Sequence, residues 1–290
     1  MKSLKHMKSV SLLVLLLLVI VMATPTISMA AQPTVNLGTT SSFAVLAGTE
    51  ITNTGTTTIN GDAGGDVGLY AGTAFTGQSS AVIGGTVHLT DAVAGKAKED
   101  LVTAYNDAAG RTPVTIIPTE LGGTTLTPGV YASKDGTFQI TGTLTLDAQG
   151  DPDGVFVFKT ESTLVTAVGS NVLLIGDARY CRTFWQVGSS AVLEVGSNFV
   201  GHIFAMQSIT AKTNATIQGQ LLARNGAVTL DTNTITNGIC EVAPVTPVTP
   251  EEESPVTGDG PFMYVMILGL ICGGLILGDA ILFRSRKRYE

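Results

Sequence analysis

Short runs in which apolar and polar residues alternate recur along most of the chain. In Thr141-Gly142-Thr143-Leu144-Thr145-Leu146 the leucines fall on one side and the threonines on the other, the period-two pattern of a strand with one buried face. Whole segments also return. Ile209-Thr210-Ala211-Lys212-Thr213-Asn214 recurs 19 residues later as Val228-Thr229-Leu230-Asp231-Thr232-Asn233. Gly201-His202-Ile203-Phe204-Ala205 aligns with Gly219-Gln220-Leu221-Leu222-Ala223, and Val168-Gly169-Ser170 returns at Val187-Gly188-Ser189 and Val195-Gly196-Ser197. Strand-like segments separated by Gly, Asn and Ser, returning every 18 or 19 residues, suit the rungs of a solenoid. Regular short strands would also fit a β-sandwich; the repetition of whole rungs favours the solenoid.

One stretch breaks this pattern. Over 91–109 the residues Val93, Ala97, Leu101, Ala104, Tyr105 and Ala108 are spaced by threes and fours, which predicts an amphipathic helix. Thr90 or Asp91 can cap its start, and Gly110 with Pro113 end it. Such a helix can lie along one flank of a solenoid and cover an apolar side.

The two ends carry the longest apolar runs. Lys2, Lys5 and Lys8, then Val10 to Ala23, then Ser28-Met29-Ala30 read as a secretory signal peptide over 1–30, with an uncleaved anchor as the alternative. Residues 31–240 then form the exterior domain, and 241–260 a Pro/Thr/Glu linker without a core. The segment 261–283 reads as a transmembrane span, since Phe262 to Phe283 is long enough to cross a bilayer. The basic tail 284–290 would stay in the cytoplasm. Ser254-Pro255-Val256-Thr257-Gly258 precedes that span and resembles the Gram-positive cell-wall sorting signal, with Pro255, Thr257 and Gly258 matching and Ser254 in place of the Leu. The resemblance implies cleavage after Thr257 and linkage to peptidoglycan; without it, residues 262–283 themselves hold the chain in the membrane. Either way the domain is exported and faces outward.

Charge narrows the function. Residues 31–260 hold 9 Lys/Arg against 21 Asp/Glu, so a nucleic-acid partner is excluded for want of a basic face. Those same residues contain 38 Thr, and few long charged side chains interrupt them. Cys181 and Cys240 are the only cysteines in the exterior part, and an oxidising location makes a disulfide between them plausible, two free thiols being the alternative. It would close a loop of about 60 residues, worth about 3–4 kcal/mol on the chain-entropy view. No metal site is expected, with only His88 and His202 in the domain and no paired-cysteine motif. No cofactor is expected either, and no nucleophile or phosphate-loop motif points to an enzyme. Asp62 with Asp66, and Asp151 with Asp153, read as turn-shaping residues. Phe184, Trp185, His88 and His202 read as structural.

A surface argument remains. Stacked strands place equivalent side chains in straight ladders about 4.7–4.9 Å apart, on a backbone held rigid by its pairing. A Thr ladder offers a hydroxyl and a methyl per rung and can hold water in a lattice-like layer. Exposed Thr is also simply a good strand residue.

Several stretches carry a resemblance that bears on this choice. They include Phe43-Ala44-Val45-Leu46-Ala47-Gly48, Leu126-Thr127-Pro128-Gly129-Val130-Tyr131, Leu144-Thr145-Leu146-Asp147-Ala148-Gln149-Gly150-Asp151-Pro152, Phe184-Trp185-Gln186-Val187-Gly188 and Leu222-Ala223-Arg224-Asn225-Gly226. Through them, the region from about Leu37 to Cys240 resembles the ice-binding protein family of bacteria, fungi and diatoms. The resemblance implies a mostly β fold: an irregular right-handed β-solenoid of triangular section with one long α-helix packed alongside. It also implies an ice surface as partner. That family's motif is Thr, then Ala or Gly, any residue, then Thr or Asn. Thr210-Ala211-Lys212-Thr213 matches it, and Thr229-Leu230-Asp231-Thr232 matches except at Leu230. The implied ice-contact residues are therefore Thr210, Ala211, Thr213, Thr229 and Thr232. The rival expectation is a non-enzymatic structural or adhesive module on the same fold, binding a wall polymer or a cell.

Overall fold

The computed structural model describes residues 32–240. The segments read as signal peptide, linker, sorting motif, span and tail lie outside the described residues. The strands are paired in parallel throughout, in two hydrogen-bonded sheets that make three faces of a coil. A first face stacks Gly129–Ser133, Phe156–Thr160, Thr183–Val187, the ends of Asn198–Ala205 and Thr216–Ala223, then Phe43–Ala47 and Asp66–Leu69. A second face stacks Phe138–Ile140, Leu164–Thr166, Ala191–Leu193, Ile209–Ala211, Val228–Asp231, Glu50–Thr54 and Ala74–Thr76. The third carries Thr143–Asp147, Asn171–Ile175, the starts of the two long strands, then Thr234–Thr236, Thr57–Asn60 and Ala81–Ile83. Among the described residues this is a β-solenoid, as the repeats predict, with one α-helix, as the spacing over 91–109 predicts.

Stack order departs from chain order. The N-terminal coils lie beyond the C-terminal coil, so Val45 pairs with Leu221, Thr52 with Thr229 and Ile59 with Ile235. The helix Ala92–Gly110 then separates these coils in sequence from the rungs that begin at Thr115–Ile117. Asp91 caps it by accepting the Ala94 N–H at 2.8 Å. Its buried stripe is Ala94, Ala97, Leu101, Ala104, Tyr105 and Ala108. Val93, expected in that stripe, is 48% exposed, because Ala94 occupies the inward position of the first turn. The small alanines let the helix lie close to Phe43, Val157, Phe184, Phe204 and Leu222 of the first face, which is therefore buried on both sides.

The interior holds Phe138, Phe156, Phe158, Trp185 and Phe199, all buried. Phe158 and Trp185 stack at 3.9 Å between ring centres, and the indole N–H donates to the Val200 carbonyl at 3.0 Å. Each such side chain contributes about 1.5–3 kcal/mol by leaving water.

The register also sorts the repeats. Gly201–Ala205 pairs residue for residue with Gly219–Ala223, and Ile209–Ala211 with Val228–Leu230. Val168-Gly169 stacks on Val195-Gly196, through the Gly169 N–H to the Val195 carbonyl at 2.9 Å. Val187-Gly188-Ser189 does not join that ladder: it ends a first-face strand, and the shared tripeptide serves a different corner. Cys181 and Cys240 form the disulfide, 59 positions apart in sequence.

Candidate functional site

On the second face, alternation turns every other side chain outward, and pairing aligns them. Gln139, Val165, Val192, Thr210, Thr229, Thr52 and Thr76 occupy equivalent positions on seven successive strands. The last four make a continuous threonine column. Their flanking residues Ile209, Ala211, Val228, Leu230 and Ile51 are buried, so the column rests on a packed base. The Thr52 hydroxyl donates to Thr229 Oγ1 at 3.3 Å, linking two coils.

Two further ranks border the column. On one side stand Ser190, Ser208 and Ala227, small residues tied coil to coil through the Ala227 N–H to Ser208 Oγ at 3.2 Å. On the other stand Glu194, Lys212 and Asp231, with Thr54 paired to Asp231. Lys212 Nζ lies 2.6 Å from Glu194 Oε1.

The structure brings Thr210 and Thr229 side by side but separates the other motif residues from them. Ala211 is fully buried, because strand alternation points it inward. Contrary to expectation, it has no surface to offer a ligand. Thr213 and Thr232 sit where the chain leaves the face, next to residues of positive φ (Asn214, 60°; Thr232 itself, 53°). Both donate their hydroxyls to Asp231, Thr232 at 3.1 Å. Thr52 and Thr76 complete the column instead. Their signal, an outward Thr after an inward apolar residue, is present in Ile51-Thr52 and Phe75-Thr76. No fixed spacing connects them to Thr229.

The third face bears a different ladder: Thr143, Asn171, Asn198, Thr216, Thr234 and Thr58. It is sunken, with a depression of about 390 Å³ lined in part by Asn171, Asn198, Thr216, Gln218 and Thr234.

The remaining candidates are structural. Asp66, expected to shape a turn, instead begins the strand Asp66–Leu69 and accepts the Thr86 N–H of the adjoining coil at 2.7 Å; Asp151 accepts the Asp153 N–H at 2.9 Å in a turn. Asp153 also pairs with Arg182 at 2.6 Å. His88 Nδ1 lies 2.7 Å from Asp91 Oδ2 at the helix start. His202 is buried between Phe184 and Tyr180, and burial pushes its pKa down to about 4. Among the described residues no cluster of three His, Cys, Asp or Glu could hold a metal ion.

Residues 45–236 match the family described as Ice-binding-like. The chain belongs to this family. It is 41% identical over 257 residues to an ice-binding protein of Nostoc sp. (strain HG1), covering 88% of this chain and 87% of the relative. An ice-binding protein of Flavobacterium frigoris (strain PS1) is 32% identical, covering 70% and 76%. Among solved structures, an ice-binding protein from an Antarctic biological consortium is 43% identical with a TM-score of 0.69, over 74% of this chain and 96% of that one. Another, from the Antarctic ascomycete Antarctomyces psychrotrophicus, is 40% identical with a TM-score of 0.66, over 70% and 98%. Membership of the ice-binding-like family thus agrees with the solenoid and its flanking helix.

Proposed function

We propose that this chain adsorbs to ice through the second face, with Thr210, Thr229, Thr52 and Thr76 as the contact column. The observation that carries the reading is the register of those four threonines on adjacent coils. Each rung offers a methyl that tolerates ordered water and a hydroxyl that bonds it, at about the 4.7–4.9 Å strand spacing. The paired backbone and buried flanks fix the side chains before contact, so little entropy is lost on docking. Relatives named as ice-binding proteins support the same partner. The role is one of binding, with no catalytic step.

Thr210→Tyr with Thr229→Tyr should abolish accumulation of the dye-labelled chain on a single-crystal ice hemisphere while leaving its melting temperature nearly unchanged. Thr216→Tyr with Thr234→Tyr, on the sunken third face, should leave ice accumulation intact. Loss only in the second pair would transfer the site to that face. The sequence order of signal peptide, linker, span and basic tail supports an exported domain held at the cell surface, wall-linked through 254–258 or anchored by 262–283.

A further inference from the structure

We propose that the ionic strip Glu194–Lys212–Asp231 sets the edge of the ice contact, confining docking to the Thr column and the small-residue rank beside it. This rests on the ice-adsorption reading. The strip crosses three successive coils beside Val192, Thr210 and Thr229, two residues along each strand and so about 6–7 Å away; beside Thr52 its place is taken by Thr54.

Two separate effects place the boundary there. Lys212 and Glu194 form an exposed ion pair, with 44% and 23% of their side chains accessible. Charged groups orient their own hydration shells around the ion rather than along a lattice, and stripping that water to seat ice on them is costly. Asp231 acts by capture. It accepts the hydroxyls of both Thr213 and Thr232, the two threonines that would otherwise offer a second row of donors at the corner. The carboxylate thus spends their hydrogen-bonding capacity inside the protein. The opposite border carries no charge over three coils, at Ser190, Ser208 and Ala227; on the next coil the exposed Glu50 stands in the same rank, level with Ala227 and two residues before Thr52.

Replacing the strip in the full chain with Glu194→Thr, Lys212→Thr and Asp231→Thr should add a hydroxyl-and-methyl rank beside the first. Thermal hysteresis at equal concentration should rise about 1.4-fold, in proportion to the contact area added when three side chains join the column and the small-residue rank. Exchanging the pair, Glu194→Lys with Lys212→Glu, keeps the ions and should leave activity at the parent level. Asp231→Asn removes one charge with little change of shape and should give part of the gain, which keeps the idea testable if the triple variant folds poorly. The inference is overturned if folded triple and Asp231→Asn variants are no more active than the parent, or if the exchanged pair gains as much as the triple. Those results would leave the ice reading standing, provided Thr210→Tyr with Thr229→Tyr still abolishes adsorption; a silent tyrosine pair would remove the reading itself.

Discussion

Lys98 lies on the helix in a run of charged residues that would normally face water, yet it points at the coil. Its ammonium donates to the carbonyls of Ala223 and Arg224, and burial, with the Arg224 guanidinium nearby, pushes its pKa down to about 7. Arg224 is held in turn over the Tyr105 ring, 4.6 Å from its centre. The consequence for stability has a definite sign. Unfolded, Lys98 keeps a proton up to its ordinary value of 10.5, whereas folded it releases it near 7. The unfolded chain therefore binds more protons between those values, and stability attributable to this group rises as pH climbs through that window. Below about 7 the folded state bears the whole penalty of a buried ammonium. Urea unfolding of the parent should show this rise from neutral to alkaline pH, and Lys98→Met should flatten it. Parallel pH profiles for the two chains would mean that the two carbonyl acceptors hold the ammonium at its ordinary value.

At the scale of an element, the third-to-first-face corner depends on glycine. Gly201 and Gly219 stack directly, at φ of 109° and 144°, and a Cβ on Gly219 would lie 2.0 Å from the Gly201 carbonyl oxygen. Gly219→Ala should cost about 2–4 kcal/mol by thermal or urea unfolding, since backbone rather than a yielding side chain is in the way. A cost under about 1 kcal/mol would show that the corner relaxes. This corner was readable in advance because Gly201–Ala205 and Gly219–Ala223 preserve both the glycine and the run of residues packed after it. Val168-Gly169-Ser170 misled for the opposite reason: three residues define a turn chemistry but not which corner uses it. Val93 misled through the helix start, where a single residue decides which side chain of the first turn faces the sheet. Thr210 and Thr229 were legible as neighbours because their coils are consecutive. Thr213 and Thr232 were not legible as withdrawn, since only the folded corner brings both to one carboxylate.

For the whole molecule, the hidden fact was closure. Thr52 meets Thr229 across 177 positions, and no periodicity announces that the first coils dock on the last. The Thr column is therefore completed only when chain segments from opposite ends of the domain pair, and whatever steadies the final coil also steadies the column. Two things do so. Thr234–Thr236 is inserted between Thr216–Ala223 and Thr57–Asn60, with Ile235 buried between Ile217 and Ile59. Just after it, Cys240 is tied back to Cys181. The cross-link restricts the unfolded chain over its 59-residue separation, worth about 3–4 kcal/mol on the loop-entropy view. Cys181→Ser with Cys240→Ser should lower unfolding free energy by about that amount. Because the strand pairs that set the register remain, ice accumulation by the variant well below its reduced melting temperature should match the parent. If adsorption disappears while the melting transition is little changed, the disulfide holds the register of Thr52 on Thr229, and closure by Ile235 and its neighbours is too weak to do so unaided.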